Sequence, residues 1–229
     1  MILSKRMNMN VSLVPPCDRL LDVGCDHCNS GIYLVQTRRV SRVLASDNKE
    51  GPLKSALENI TKAGLQDRIQ TVLSDGLQEI EVLPEDVLFM TGMGGPLMIR
   101  LLEDAKEKLP LLKAMVLQPQ SHIGEVRRYV EAQGFRIQDE RGCKEEGKLY
   151  FSFAAFGKEE GRCVRSSLEY AYGPILLQTG NEAMLERMNR DLNKKRRIWA
   201  QLPAVGYEKE RDLLRMEIGE LEDYLNSSQ

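Results

Sequence analysis

The sequence lacks any apolar run long enough to cross a membrane, and it lacks an early apolar segment of the kind that directs secretion. No hydrophobic stretch approaches the roughly 18 residues of a transmembrane helix. The first residues, Met-Ile-Leu-Ser-Lys-Arg-Met, do not form the long apolar core of a signal peptide. We therefore expect a cytoplasmic protein with no membrane partner.

An excess of positive charge is also absent. Lysine and arginine total 32 against 34 aspartate and glutamate, which gives a net charge of −2. Attraction of the whole surface to nucleic acid is therefore not indicated, and any RNA contact must come from a local basic patch. The 229 residues, 42% of them hydrophobic, are enough for one α/β domain and a smaller appendage.

Cysteine pairs suited to metal binding are scarce. Of five cysteines, only Cys25 and Cys28 form a C-x-x-C pair, and no second pair exists to complete a four-ligand zinc site. A redox dithiol at the start of a helix is the alternative interpretation. We expect no metal, and we interpret both thiols as residues that line a loop.

The G-x-G-x-x-G fingerprint of pyrophosphate-binding loops is missing as well. Residues 20–31, Leu-Leu-Asp-Val-Gly-Cys-Asp-His-Cys-Asn-Ser-Gly, predict a buried strand, a tight loop and the start of a helix. The strand ends at a single glycine, Gly24, where a phosphate-binding loop needs several. A cofactor without phosphates, such as S-adenosylmethionine (SAM), fits this loop better.

Apolar strand patterns alternate with helical patterns along the first part of the chain. The predicted helices span 31–39, 50–64, 96–109 and 123–133, and an N-terminal helix or arm precedes the first strand. The predicted strands span 20–24, 42–46, 69–73, 86–91, 113–117, 135–141 and 148–156. Only residues 142–147 join the last two strands, too few for a parallel crossover, so this pair must be antiparallel. The fold class is therefore α/β, a doubly wound, mostly parallel seven-stranded sheet with an antiparallel last strand, typical of SAM methyltransferases.

The C-terminal part of the chain has no further strand pattern. Residues 181–202 and 207–225 carry apolar positions at near-heptad spacing, and the segment between them, 203–206, contains proline and glycine. This pattern predicts an antiparallel helical hairpin that packs on itself and on its own domain. We expect a methyltransferase domain at 1–159, a helical hairpin at 160–229, and a monomer or weak dimer.

Acidic residues follow successive predicted strands. Asp22 and Asp26 are available for the cationic amino group of SAM, Asp47 for its ribose hydroxyls, and Asp75 for its adenine amine, with Gly76 admitting the ring. Each aspartate alone is more often a turn residue or helix cap. Three acidic strand ends in sequential order favour a cofactor site.

Two further segments follow the fourth and fifth strands. Gly92-Met-Gly-Gly95 lets backbone approach the sulfonium and the acceptor, with Met93 as a polarizable wall; a simple strand-to-helix turn is the alternative. In Gln118-Pro-Gln-Ser121, an amide is placed to hydrogen-bond the Watson–Crick edge of a base, and Pro119 fixes the loop. His122 is a candidate for acid–base or phosphate contact, or only a solvated helix cap.

Four motifs together resemble one enzyme family. Ser4-Lys-Arg6, Asp22-x-Gly-x-Asp-His27, Gly92-Met-Gly-Gly95 and Leu117-Gln-Pro119 are similar to those of the bacterial tRNA (adenine-N1)-methyltransferases that act at position 22, over about residues 2–157. The sequence departs from the family pattern at Cys28-Asn-Ser-Gly31, at Asp47, where many members have glutamate, and at Gln120, which is often asparagine.

The resemblance implies methyl transfer from SAM to N1 of adenine in a tRNA. The catalytic candidates are Asp26, His27, Gln118, Pro119 and His122. The cofactor candidates are Asp22, Gly24, Cys25, Asp26, His27, Asp47, Asn48, Asp75, Gly76, Gly92, Met93 and Gly94. Adenine N1 has a free lone pair, so catalysis is mostly alignment of the reacting atoms. N1 lies on the pairing edge, so the base must be unpaired or extruded from the tRNA.

RNA contact requires cations, and the densest basic run falls on the first helix of the hairpin. The RNA-binding candidates are Lys5, Arg6, Arg127, Arg128, Arg190, Lys194, Lys195, Arg196 and Arg197. A solvated helix face is the alternative for this run, whereas a tRNA substrate favours phosphate binding. Two other functions stay open at this point: methylation of a small molecule or protein, and a non-catalytic RNA-binding module with a SAM fold.

Overall fold

A computed structural model of the chain describes residues 2–157, 164–203 and 205–227 and contains one seven-stranded sheet. The strands are β1 (Cys17–Val23), β2 (Val40–Asp47), β3 (Ile69–Leu73), β4 (Val87–Met93), β5 (Ala114–Pro119), β6 (Arg136–Glu145) and β7 (Lys148–Phe156). Their order across the sheet is β3-β2-β1-β4-β5-β7-β6, with β1 to β5 parallel and β7 antiparallel to both β5 and β6. The predicted fold class is confirmed.

Helices cover both faces of this sheet. The described helices are α1 (Lys5–Ser12), α2 (Asn29–Gln36), α3 (Glu50–Ala63), α4 (Gly95–Asp104), α5 (Ile123–Ala132), α6 (Ser167–Tyr172), α7 (Pro174–Thr179), α8 (Glu182–Gln201) and α9 (Glu208–Ser227). One buried apolar cluster contains side chains of α2 and α3, and a second contains side chains of α4 and α5. Because parallel strands are covered on both faces, they are nearly continuously apolar, as β5 is.

The turn between β6 and β7 is tighter than the sequence predicts. Residues 142–147 were expected to be a loop, whereas the β6–β7 ladder continues from Gly142, opposite Phe151, to Glu145, opposite Lys148. Only Glu146 and Gly147 remain in the turn, with φ of 48° and 77°. Two consecutive positive φ angles fit a type I′ turn, whose twist matches that of the flanking strands. Pairing of β5 with β7 ends at Leu117 opposite Phe153, so the tip of the β6–β7 hairpin extends beyond β5.

The predicted helix at 96–109 is also divided. The α-helix α4 ends at Asp104, and a 3-10 helix (Lys106–Leu111) follows it. Pro110 lies in that second segment and cannot donate a backbone hydrogen bond, so a regular α-helix is unfavourable there.

The C-terminal helices form a third apolar cluster with the β6–β7 hairpin. Its buried members include Phe151 from β7, Tyr172 from α6 and Met188 from α8. The sequence patterns did not predict α6 and α7, which have six residues each and meet at Gly173-Pro174. The expected domain boundary at 159/160 lies outside the described residues. None of the described helices is long and apolar enough to span a membrane.

Candidate functional site

The loop after β1 is held by the end of β2. Gly24 and Cys25 both donate their backbone N–H groups to the Ser46 carbonyl, at 2.8 and 2.9 Å. Gly24 has φ of 74°, and a Cβ at this position would lie 3.1 Å from the Met93 side chain. Glycine therefore satisfies two constraints here, the left-handed backbone and the approach of the β4 loop.

A buried carboxylate lies at the end of β1. Asp22 is only 4% exposed, and no hydrogen bond or ion pair joins its side chain to another residue of the described segments. Burial, with a smaller contribution from Asp47, raises the pKa of Asp22 to about 7. A cationic ligand group would offset this cost of desolvation, which fits the ammonium of SAM.

A small cavity connects the ends of the first four strands. It has a volume of about 110 Å³. Its lining includes predicted cofactor residues from four strand ends, namely Gly24, Asp47, Asn48, Asp75, Gly76 and Met93. The structure therefore brings together half of the predicted set, from positions far apart in the chain.

Asp75 has a partner that the sequence did not predict. Both of its carboxylate oxygens accept from Arg100 of α4, at 2.9 and 3.2 Å. Arg100 also contacts Asp104 one helical turn later. The Asp75 carboxylate is therefore oriented by Arg100, and each of its oxygens keeps capacity to accept a further hydrogen bond.

The loops after β4 and β5 are bonded to each other. Gln120 donates its N–H to the Met93 carbonyl at 2.9 Å, and the Gly95 N–H donates to the Ser121 hydroxyl at 3.3 Å. A Cβ on Gly95 would lie 2.3 Å from the Ser121 carbonyl oxygen. Only glycine allows this approach, so Gly92-Met-Gly-Gly95 and segment 118–121 form one joined unit.

A larger cleft of about 540 Å³ opens on the other side of this unit. Its lining includes Arg6, Gln118, Pro119, Lys148, Tyr150 and Arg190. Gln118 is 1% exposed, and its Oε1 is buried without a hydrogen-bond donor among the described residues. A buried unpaired amide oxygen is costly, so it favours a ligand that donates to it. Lys148 and Tyr150 were not among the sequence candidates, because nothing in a β-hairpin sequence indicates that its tip reaches the end of β5.

Asp26, His27 and His122 lie on exposed loops. The His27 Nε2 is 3.7 Å from the Asp26 Oδ2, and both side chains are more than half exposed. His122 is the N-cap residue of α5, and its side chain makes no capping hydrogen bond. None of the three lines the cavity or the cleft. Their catalytic role stays a prediction.

Cys25 and Cys28 are buried free thiols, as is Cys143, while Cys17 is partly buried. Burial raises the pKa of both Cys25 and Cys28 far above that of an ordinary thiol, with the nearby Asp22 carboxylate adding to the effect. Such thiols are poor nucleophiles and poor metal ligands. Within the described segments, no group of histidine, cysteine and carboxylate side chains is arranged to hold a metal.

The prediction that Arg127 binds RNA is wrong. Its side chain is fully buried; Nε donates to Glu140 at 2.8 Å, and an Nη donates to the Tyr170 carbonyl at 2.9 Å. Its neighbour Arg128 is exposed and lies over the ring of Tyr170, 4.7 Å from the centroid. Adjacent helix positions face different directions, so one arginine joins α5 to the C-terminal helices and only the other reaches solvent.

The basic run on α8 is partly neutralised by α9. Lys195 pairs with Glu217 at 2.5 Å, and Arg196 pairs with Glu222 at 2.7 Å. Lys194 and Arg197 are exposed and have no ion-pair partner within the described part of the chain. Half of the run therefore joins the two helices, and half faces solvent.

Comparison with known proteins identifies one family. The family model for tRNA (adenine(22)-N(1))-methyltransferase matches residues 20–223. The Bacillus subtilis enzyme of that name is 28% identical over 203 residues, which is 87% of this chain and 85% of that protein.

Solved structures agree with this match. Streptococcus pneumoniae Sp1610 superposes with a TM-score of 0.89 at 30% identity, covering 98% of this chain and 100% of that one. Its complex with SAM superposes with a TM-score of 0.85 at 28% identity, again over 98% and 100% of the two chains. The resemblance seen in the sequence motifs is confirmed, and the chain belongs to the tRNA (adenine(22)-N(1))-methyltransferase family.

Proposed function

We propose that this protein transfers the methyl group of SAM to N1 of adenine 22 in tRNA, with cofactor and acceptor on opposite sides of the joined β4 and β5 loops. The observation that carries this assignment is the hydrogen bond from Gln120 to the Met93 carbonyl. Met93 lines the cavity and Gln120 lines the cleft, so the two spaces meet at this bond.

Residues at the first four strand ends hold the cofactor. Asp22 binds the ammonium group, Asp47 accepts from the ribose hydroxyls, and Asp75, oriented by Arg100, accepts from the adenine amine. When bound, SAM supplies an electrophilic methyl group on its sulfonium. The remaining predicted cofactor contacts come from the loop backbones and adjoining side chains, at Gly24, Cys25, Asp26, His27, Asn48, Gly76, Gly92, Met93 and Gly94.

Gln118 reads the acceptor base. The exocyclic amine of adenine is a donor beside N1, and the buried Oε1 of Gln118 needs a donor. This contact orients N1, whose lone pair requires no prior deprotonation, and the surrounding rigid loops supply alignment. Asp26, His27 and His122 remain the candidates for removing a proton from the methylated product.

The test is transfer of labelled methyl groups from SAM to tRNA, followed by nucleoside analysis. The wild-type protein should form 1-methyladenosine, and a transcript with guanosine at position 22 should accept nothing. Gln118→Ala should lower methyl transfer about tenfold or more while SAM binding persists. Gln36→Ala, at an exposed glutamine at the end of α2, is the matched control and should transfer methyl groups like wild type. SAM binding without transfer to tRNA would favour a small-molecule or protein acceptor, and binding of tRNA alone would favour a non-catalytic module.

We further propose that the predicted hairpin unit, residues 160–229, holds the tRNA while the methyltransferase unit, residues 1–159, presents the cofactor in the cytoplasm. The exposed Lys194 and Arg197 are its phosphate contacts. The double variant Lys194→Ala/Arg197→Ala should weaken tRNA binding and reduce its salt dependence. Lys195→Ala should instead loosen the hairpin, because Lys195 pairs with Glu217. Unchanged tRNA affinity of the double variant would contradict this role.

A further inference from the structure

The cleft beside β5 has a floor and a rim of different chemistry. Gln118 and Pro119 on the floor are buried, whereas Lys148 and Arg190 on the rim are exposed. Tyr150, also in the lining, is half-buried. Elements distant in sequence build the rim, since Arg6 comes from α1, Lys148 and Tyr150 from the β6–β7 hairpin, and Arg190 from α8.

The rim is positively charged. No carboxylate belongs to the lining of this cleft, and no acidic partner lies within ion-pair distance of Arg6 or Lys148 in the segments that the structure describes. Arg190 is paired with Glu186. Two cations without an ion-pair partner in the described segments and one paired cation therefore surround an opening next to the acceptor site, and the one carboxylate beside them, that of Glu145 opposite Lys148, is engaged by the Arg6 backbone. This arrangement attracts phosphate.

The rim also carries a stacking surface. The Arg6 guanidinium lies over the Tyr150 ring, 5.1 Å from its centroid. Glu145 accepts from the Arg6 backbone N–H at 3.2 Å, and from the Ser4 hydroxyl at 3.3 Å, which fixes α1 against the hairpin. Aromatic rings and guanidinium planes are the surfaces on which proteins stack unpaired RNA bases.

We propose that this rim binds a nucleotide of the tRNA next to the methylated adenine, with its base stacked on the Arg6–Tyr150 pair and its phosphate on Lys148 and Arg190. The inference rests on the proposed function, since Gln118 on the floor is the assigned contact of the acceptor base. Extrusion of the adenine costs unstacking and unpairing energy, and contacts of the rim with the adjoining nucleotide offset part of that cost. Lys148 and Tyr150 are thereby assigned as residues of the protein that bind the tRNA substrate.

The stacking contact is tested with two variants of one residue. Tyr150→Leu should weaken binding of a labelled tRNA transcript about 5- to 100-fold, because a stacked base is lost. Tyr150→Phe retains the ring and should bind within about twofold of wild type. Binding of SAM, measured in parallel, should be unchanged in both variants, which shows that a weakened Tyr150→Leu protein is still folded.

The phosphate contact is tested through salt dependence. Lys148→Ala should weaken tRNA binding and reduce the slope of log affinity against log salt by about 0.7 to 0.9, the value for one lost phosphate contact. Lys62→Ala, an exposed lysine in the last turn of α3, is the control and should change neither quantity.

The two proposals fail in different ways. A wild-type protein that forms no 1-methyladenosine in tRNA contradicts the proposed function. If the wild-type protein forms 1-methyladenosine but Tyr150→Leu and Lys148→Ala bind tRNA as tightly as wild type, only the rim site is contradicted. Displacement of tRNA by low concentrations of adenosine monophosphate would also overturn it, because the cleft would then be a mononucleotide site.

Discussion

Replacing Asp22 by asparagine should stabilise the folded protein at neutral and alkaline pH while weakening the cofactor site. The carboxylate lies at the end of β1 and is only 4% exposed. Desolvation raises its pKa from 3.8 to about 7, with Asp47 adding to the shift. Asparagine has nearly the same shape and carries no charge.

The sign and size follow from proton linkage. Between pH 3.8 and 7 the folded state retains a proton on Asp22 that the unfolded state releases, so stability falls as pH rises through this window. At about 1.4 kcal/mol per pH unit, the penalty to wild-type stability is about 4 kcal/mol above pH 7. The buried asparagine amide offsets about 1–3 kcal/mol of the gain at every pH. The change with pH is independent of this offset and amounts to about 2–3 kcal/mol between pH 5 and pH 8.

Urea unfolding of wild type and Asp22→Asn at both pH values measures this change. The stability difference should favour the variant more at pH 8 than at pH 5, by about 2–3 kcal/mol. Asp18→Asn is the control and should give a stability difference that is the same at pH 5 and pH 8, because a hydrogen bond from Arg42 lowers the pKa of Asp18 and its carboxylate is ionised in both states in this window. SAM should bind Asp22→Asn about 10- to 100-fold more weakly, since a charge-assisted contact is lost. A stability difference that is independent of pH would refute the reasoning.

Three further outcomes are expected. Arg127→Met leaves the buried Glu140 carboxylate without its ion-pair partner and should lower the free energy of unfolding in urea by about 3–5 kcal/mol. A decrease no larger than that from replacing an exposed arginine would contradict this prediction. Gly95→Ala places a methyl group 2.3 Å from the Ser121 carbonyl oxygen, so it should cost about 1–3 kcal/mol and slow methyl transfer, which thermal unfolding and the transfer assay check. The thiols of Cys25 and Cys28 in the folded protein should resist Ellman's reagent at pH 8 because burial raises their pKa. Rapid labelling of the folded protein would contradict this prediction.

Local patterns determined most of the parallel sheet. The third strand was predicted within its observed bounds, Ile69–Leu73, because a short apolar run ends at polar turn residues. Local patterns likewise predicted the start of α5 at Ile123. They also predicted the end of α3 at Gly64, which has φ of 66°. Chain connectivity then placed the carboxyl ends of these strands along one edge, which allowed the acidic strand ends to be assigned to one ligand.

Contacts between distant segments were outside the reach of these patterns. Arg127 and Arg128 are equivalent as neighbours in sequence, and only the packing of α6 against α5 decides that the first is buried with Glu140. The pairing of Asp75 with Arg100 likewise depends on the packing of α4 against the loop after β3, where Leu101 lies beside Gly76.

The sequence by itself determined the fold class and the family motifs and allowed the cofactor residues to be proposed, because hydrophobic period, turn chemistry and the succession of strands and helices can be read along the chain. Tertiary structure decided which cations face solvent and which loops meet. The joined loops at Met93 and Gln120 and the Arg6–Tyr150 pair bring together residues up to 144 positions apart. Such contacts depend on tertiary packing between residues that are too far apart in the chain for a local sequence pattern to include both.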